Sequence, residues 1–309
     1  MRKFIVFAAA VAMFAACCNE KSAEPVKKEI GIQLYSVRDL IGGDEAYAKN
    51  HEEVFAKLAE LGYTTVETCW YNDGKFFGLE PAQFKADLDA AGLKAISTHT
   101  MNNLSDEEIA NHDFSAKIDW WKQCIAAHKA IGCRYIVAPS FYIPKTLEGL
   151  KTSCDYFNEI GKLCAAEGLK FGYHNHSHEF RKIDDTVIYD YMLQNTDPAN
   201  VFFEMDVYWT VMAGQAPVEY FKKYPGRFTC LHIKDYREVG QSGMVGFDAI
   251  FNAAEISGMK DFVVEMEGSS YGDILRTCQE SADYLQNACF VKPCYGGGCT
   301  GEGECCKHK

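Results

Sequence analysis

Positive charge is scarce relative to negative charge in this sequence. It has 31 lysine and arginine residues against 43 aspartate and glutamate residues, a formal net charge of −12 at pH 7. A uniformly acidic protein is a poor match for the phosphates of nucleic acids, so we expect no nucleic-acid partner. The hydrophobic fraction, 48%, and the charged fraction, 24%, are ordinary for a globular protein with one large core.

A hydrophobic run long enough to be a comfortable membrane span is also missing. Phe4 to Ala16 is apolar but too short, and the positive charge of Met1-Arg-Lys before it indicates a secretory signal. Phe14-Ala-Ala-Cys17 resembles a bacterial lipoprotein processing box, which implies lipidation of the Cys17 sulfur. We therefore predict a signal peptide and tether over residues 1–28, export, and membrane contact only through an N-terminal lipid anchor in the bacterial envelope. An ordinary signal cleaved nearby is the alternative.

The cysteines lack the spacing of a zinc motif, although the chain has 14 of them. Most lie in apolar strand or helix contexts, which favours buried free thiols. Four others fall in the glycine-rich tail, residues 291–309, where the glycines argue against a packed element. We predict a flexible tail, with a small knot closed by a metal or by disulfides as the alternative.

No glycine-rich phosphate-binding loop follows the first predicted strand, which argues against a doubly wound sheet. Strands alternate with helices instead, and glycines end several of the helices, as at Gly62 and Gly132. The predicted strands are Ile30–Ser36, Tyr63–Cys69, Leu93–His99, Arg134–Ala138, Leu169–Tyr173, Val201–Met205, Arg227–Leu231 and Asp261–Val264. Eight such units close as a parallel α/β barrel, so we predict a single (β/α)8 TIM-barrel domain over residues 29–290.

Polar side chains end these strands, where the functional residues of such barrels lie. The stretch Phe171–Phe180 places His174, His176 and His178 at alternating positions, which point to one side of an extended chain. Histidine binds divalent metals and carries protons near neutral pH. A histidine-rich loop without a ligand is the alternative for this stretch alone. Three other strand ends, with Asp206, His232 and Glu265, favour a site.

These units and motifs resemble the sugar phosphate isomerase/epimerase superfamily of xylose-isomerase-like barrels. The resemblance covers roughly residues 29 to 288, and its motifs are Gly31–Asp39, Tyr173–Phe180, Glu204–Trp209 and His232–Asp235. It implies that four side chains from strands five to eight bind one divalent ion. It also implies that the protein moves protons on a carbon next to a carbonyl. The motifs are specific for the superfamily and poor guides to the substrate.

The resemblance implies Asp206, His232 and Glu265 as the last three metal ligands. The first ligand is a departure, because His174 stands where the family's epimerases have a glutamate. In those epimerases two metal-bound glutamates remove and return the proton, and Glu265 alone remains here, which gives weight to a lyase, dehydratase or hydratase. Mixed nitrogen and oxygen ligands favour manganese, zinc or cobalt over magnesium.

Roles for the other residues follow from the same likeness. Glu265 is the candidate base, and its candidate partners in proton transfer are His176, Lys234 and Glu67. The candidate substrate-binding residues are Gln33, Arg38, His99, Glu179 and Trp209. The alternative for Lys234 is a surface ion pair without a catalytic role. The alternative for Glu67 and His99 is a hydrogen-bonded residue at the barrel mouth without a functional role.

Three functions remain open at this point. The first is a metal-dependent isomerase or epimerase of a non-phosphorylated sugar, since an exported protein would rarely meet phosphorylated intermediates. The second is a lyase or hydratase acting on a 3-keto-sugar or keto-glycoside. The third is a sugar-binding lipoprotein without activity. Of the functions found in the superfamily, an abasic-site nuclease fits the sequence least. The sequence is also compatible with a homo-oligomer.

Overall fold

Eight parallel strands form the centre of the protein in a computed structural model that describes residues 27–295. We number them β1 to β8: Gly31–Gln33, Thr65–Thr68, Lys94–Thr98, Tyr135–Ala138, Lys170–His174, Val201–Asp206, Cys230–Lys234 and Asp261–Glu265. Neighbours pair in the order β3-β2-β1-β8-β7-β6-β5-β4. A bridge between His99 and Val137 joins the two ends of this order. The predicted (β/α)8 barrel is confirmed.

Helices follow the strands and pack around them. We number them α1 to α8: Asp44–Glu60, Pro81–Ala90, Ile118–Ile131, Leu147–Ala166, Ile188–Asn195, Pro217–Lys223, the two-part Phe247–Asn252 and Ala254–Ser257, and Ile274–Asn287. Glycines in the left-handed conformation follow several of them, including Gly132 at φ 88° and Gly258 at φ 85°. Within residues 27–295 no helix combines the length and apolarity that crossing a bilayer requires.

Two strands differ from the predicted ranges by three residues at an end. The first ends at Gln33, because its side chain accepts a hydrogen bond from the Tyr35 amide and starts a 3-10 turn. The seventh begins at Cys230 instead of Arg227. Gly226 and Phe228 bond to the backbone carbonyls of Ile256 and Ser257 before the strand begins, so His232 lies within the strand and not after it.

The loops contain short elements that we did not predict. A hairpin joins Tyr71–Asn72 to Lys75–Phe76, and a second joins Lys182–Ile183 to Thr186–Val187. Three short helices, Arg38–Ile41, Asp106–Asn111 and Val207–Met212, follow β1, β3 and β6. These runs are too short for periodicity to reveal them.

The lower half of the barrel interior is apolar. A separate cluster of buried side chains fills it: Ile96, Tyr135, Val137, Phe202, Cys230 and Val263. The ring of Phe202 lies over Gly172, where an added Cβ would come within 2.4 Å of it. This apolar floor confines polar chemistry to the carboxyl ends of the strands.

The first and last described segments meet at the opposite, amino-terminal face of the barrel. The Glu29 amide donates to the Pro293 carbonyl at 3.0 Å. The Lys28 ammonium donates to the Leu285 and Ala288 carbonyls at the end of α8. Residues 291–295 thus pack on the barrel, which the tail prediction did not include. The predicted signal peptide, Cys17 and the remainder of the tail lie outside the described residues.

Candidate metal centre

Three of the four predicted metal ligands come together at the carboxyl ends of β6, β7 and β8. Ligand atoms of Asp206, His232 and Glu265 lie within 4.8 Å of one another, and all three residues are buried. The His232 Nδ1 atom is 3.6 Å from Glu265 Oε2. Adjacent strands of a parallel barrel bring the side chains near their carboxyl ends to one place, which explains this convergence.

In both Asp206 and His232, one polar side-chain atom is hydrogen-bonded within the protein and the other has no partner. Asp206 Oδ1 accepts from the Trp209 amide at 2.8 Å, and His232 Nε2 donates to Glu67 Oε1 at 2.7 Å. Asp206 Oδ2 and His232 Nδ1 are buried without a hydrogen bond. Buried polar atoms are normally paired, so these two free atoms fit a metal ion between them.

His174, the fourth predicted ligand, lies in a second cluster that shares His232. Its partners there are His99, Glu204 and His232, all buried. The His174 Nδ1 atom is 3.4 Å from Glu204 Oε2 and has no hydrogen bond. Glu204 precedes Asp206 by two residues on β6, so this second cluster lies one pleat deeper in the barrel.

The barrel mouth has an excess of buried negative charge. Four carboxylates, those of Glu67, Glu204, Asp206 and Glu265, are at most 5% exposed, and one lysine, Lys234, is buried with them. Burial raises the pKa of Asp206 to about 7, against the opposing effect of Lys234 and His232. A carboxylate in these surroundings gains from a further cation.

Glu67 and Gln33 hold the His232 ring in place through hydrogen bonds. Glu67 Oε1 accepts from Gln33 Nε2 and from His232 Nε2, each at 2.7 Å, and lies 3.0 Å from His99 Nε2. Burial opposes ionisation of Glu67, but His99 and His232 hold its pKa well below the usual range. These contacts suit a residue that orients His232, and differ from the proton transfer that we predicted for Glu67 and from the substrate contact predicted for Gln33.

His99 occupies the space between two carboxylates. Its Nε2 atom lies 2.8 Å from Glu204 Oε2 as well as 3.0 Å from Glu67 Oε1. Burial alone would lower the pKa of His99, but the two glutamates raise it to about 9. The ring thus serves to neutralise these carboxylates, whereas the sequence suggested a substrate contact.

Lys234 reaches the predicted base. Its ammonium is 3.5 Å from Glu265 Oε2 and 3.3 Å from Glu267 Oε2. Burial would raise the pKa of Glu265, but His232 and Lys234 lower it to about 2. Glu265 is therefore ionised at neutral pH beside a charged amine, and the alternative of a surface ion pair at Lys234 does not fit its burial.

The remaining predicted substrate residues have different surroundings. Arg38 is at the surface, where its guanidinium donates to the carbonyls of Tyr35 and Glu267. Trp209 packs beside His176 with ring centroids 6.0 Å apart, and its Nε1 atom is buried without a partner. Glu179 is fully buried and bonds to Tyr173 and to the His176 amide, so it supports the turn after β5.

Sequence reasoning passed over two residues of the site. Glu204 shares its strand face with Asp206, and spacing alone did not separate them. Asn175 is fully buried, and its Oδ1 atom accepts from the Tyr189 hydroxyl and from the Asp206 amide. Its place between two histidines in the sequence was the available signal for a role near the ligands.

Residues 55–288 match the family model described as the xylose isomerase-like TIM barrel. The chain belongs to this family. The family predicted from the sequence motifs is thus confirmed, and with it the likeness to sugar phosphate isomerase/epimerases. A crystal structure of a sugar phosphate isomerase/epimerase from Parabacteroides distasonis ATCC 8503 is 37% identical. It covers 86% of this chain and 100% of that chain, with a TM-score of 0.76.

Other proteins that this chain resembles are more distant. An inosose dehydratase of Bacillus cereus (strain AH820) is 28% identical over 137 residues, which cover 37% of this chain and 45% of that protein. The chain spans less than half the length of the curated relatives it matches. The crystal structure of the IOLI protein with a bound zinc atom is 16% identical, covers 87% of this chain and 99% of that chain, and has a TM-score of 0.62. At this identity it shows a shared fold.

Proposed function

We propose that this protein is a divalent-metal-dependent isomerase or epimerase that removes a proton next to the carbonyl of a small, non-phosphorylated sugar. The observation that carries the proposal is the buried convergence of Asp206, His232 and Glu265 at the barrel mouth. The isomerase/epimerase and dehydratase names of the relatives support the class of chemistry. The zinc in the IOLI structure supports a divalent ion, with manganese, zinc or cobalt as the expected metals.

Asp206, His232 and Glu265 would hold the ion, with His174 of β5 as the fourth ligand. A bound divalent ion supplies Lewis-acid polarisation of a carbonyl and its neighbouring hydroxyl. Glu265, ionised and buried, accepts the proton from the carbon next to the carbonyl. Lys234, 3.5 Å away, neutralises that carboxylate and holds a proton near the substrate oxygens. Trp209 offers its free Nε1 donor to a hydroxyl.

The charges at the mouth support a neutral substrate. The buried cation, Lys234, pairs with Glu265 and Glu267, and the Arg38 guanidinium is engaged by two carbonyls. A phosphate would have to compete with these carboxylates for Lys234 and with the two carbonyls for Arg38. The predicted export of the protein points to the same class of sugar.

A lyase or hydratase that acts on a keto-sugar is the second candidate. It is favoured by His174 of β5, which stands where a two-base epimerase has its second glutamate, and by the likeness to inosose dehydratases. In this reaction Glu265 would remove the proton, while His176 or Lys234 protonates the leaving hydroxyl. An inactive sugar-binding protein remains the third candidate.

Isotope exchange separates these candidates. The zinc- or manganese-loaded protein is incubated in deuterium oxide with free ketoses and with 3-keto-glucosides, and products are followed by NMR. Epimers that carry deuterium support the first proposal, and gain or loss of an unsaturated ketone supports the second. Metal binding without turnover of any sugar would leave the binding protein. Glu265→Gln is expected to abolish either reaction while the fold is retained.

A further inference from the structure

A third group of metal-binding side chains, beside the two clusters that share His232, lies in the turn after β5. His176, His178 and Glu179 each offer one ligand atom, and these atoms lie within 4.8 Å of one another. All three belong to the turn after β5, where residues 178–180 form a single 3-10 turn. The two imidazole rings are nearly parallel, with an interplanar angle of 18° and centroids 5.5 Å apart.

Glu179 is a buried carboxylate without a lysine or arginine partner among the ion pairs of the described residues. Its Oε1 atom accepts from the Tyr173 hydroxyl at 2.6 Å, and its Oε2 atom accepts from the His176 amide at 2.9 Å. Its ion-pair contact is His178 Nε2, at 3.3 Å. A fully buried carboxylate is costly unless a positive charge compensates it, and a metal ion would do so.

His176 supplies an unsatisfied donor atom in the same turn. Its Nδ1 atom is buried and has no hydrogen bond. His178 is 37% exposed at its side chain, so an ion can reach the group from solvent. The turn thus combines a buried carboxylate, an unpaired imidazole nitrogen and an accessible imidazole.

We propose that His176, His178 and Glu179 bind a second divalent ion, with zinc as the occupant. Two imidazoles and one carboxylate are a set found in zinc enzymes, in which three protein ligands leave a position for water or for a substrate oxygen. The inference does not depend on the proposed activity, because ion binding is measured directly.

The variant His178→Gln tests this site, since it removes one ligand and leaves Asp206, His232 and Glu265 untouched. Metal-free full-length protein is titrated with zinc by calorimetry, and bound zinc is counted by atomic spectroscopy. Wild type is expected to bind one more zinc ion per chain than His178→Gln, or to bind that ion at least about tenfold more tightly. His112→Gln, in a different loop, is the matched control and should behave as wild type.

Asp206→Ala completes the experiment, because it should lose the ion of the first cluster and keep the ion of this turn. Zinc bound elsewhere in the chain is common to all variants and cancels in the comparison. Circular dichroism confirms that each variant is folded. Equal zinc stoichiometry and affinity in wild type and His178→Gln would overturn the proposal. Failure of the sugar assay would not affect it.

Discussion

His232 uses its two ring nitrogens for different purposes. Nε2 donates to Glu67, and that hydrogen bond leaves Nδ1 facing Glu265. A carboxylate behind a metal-binding histidine fixes the ring's tautomer and raises its basicity. Gln33 in turn holds Glu67, so three residues from β1, β2 and β7 set the direction of a single lone pair.

Replacing Glu67 with glutamine should therefore weaken metal binding without touching a ligand. An amide bonds the imidazole less strongly than a carboxylate, and we expect the affinity of the Asp206 cluster for zinc to fall about 10- to 100-fold. Calorimetric titration of the metal-free protein measures this change. Glu60→Gln, on the exposed side of α1, is the control. An unchanged dissociation constant in Glu67→Gln would show that His232 needs no such support.

Arg227 joins two elements of the fold. Its guanidinium donates to the carbonyl of Leu193, to the Thr196 hydroxyl at 2.8 Å and to the Val201 carbonyl at 3.4 Å. It therefore ties the end of α5 to the start of β6, the strand that delivers Asp206. A cation at a helix C-terminus also complements the helix dipole.

Arg227→Met should lower the free energy of unfolding by about 1–3 kcal/mol, because buried carbonyls lose their donors. Urea denaturation at neutral pH measures this change. Arg276→Met, which removes a half-exposed arginine from α8, should cost much less. Equal losses in the two variants would contradict the role given to Arg227.

His128 makes α3 sensitive to acid. Burial lowers the pKa of His128 to about 4, and its Nδ1 atom donates to the Cys124 carbonyl while Nε2 has no partner. The unfolded chain binds this proton below about pH 6.5, and the folded protein does not bind it until about pH 4. Stability should thus fall as the pH decreases through this window.

Between roughly pH 7.5 and pH 5, we expect His128 to lower the free energy of unfolding of wild type by about 2 kcal/mol. His128→Leu should not show this loss. Urea denaturation of both proteins at each pH gives the difference. Parallel pH profiles for wild type and His128→Leu would contradict this prediction.

The sequence predicted elements well where the pattern was long and its ends were marked. Proline begins α2 and α6, and Gly132, which the sequence marked as a helix end, directly follows α3. Two-residue hairpin strands and one-turn helices carry too few residues for a periodic signal. The start of β7 was missed because backbone pairing, and not side-chain pattern, begins it at Cys230.

At the scale of the whole molecule, the order of the strands made the position of the site predictable. The directions in which its side chains point could not be predicted from the sequence. The barrel places Asp206, His232 and Glu265 on consecutive strands, so their convergence followed from topology. The deeper cluster of His99, His174, Glu204 and His232 depends on which way each ring turns. The pattern of the sequence contains no information on those rotations, so the tasks of Glu67, Gln33 and His99 emerged only from their contacts.

Metal binding should stabilise the entire barrel, since its ligands come from separate strands. A ligand at 100 times its dissociation constant adds about 2.7 kcal/mol to the stability of a protein that binds it only when folded. We expect zinc or manganese to raise the melting temperature and a chelator to lower it. The double variant Asp206→Ala/His178→Gln should lose this response. A full response in that variant would place the ion elsewhere.

The hydrogen bond between Glu29 and Pro293 determines the face of the barrel to which both ends of the described chain are joined. Both described ends of the chain leave the barrel at the face opposite the site, as the contacts of Lys28 with the end of α8 require. Any attachment upstream of residue 27 is therefore connected to the barrel at its amino-terminal face. For the lipid anchor that we predict, the point of connection would lie on the side of the barrel away from the mouth and its predicted metal ligands.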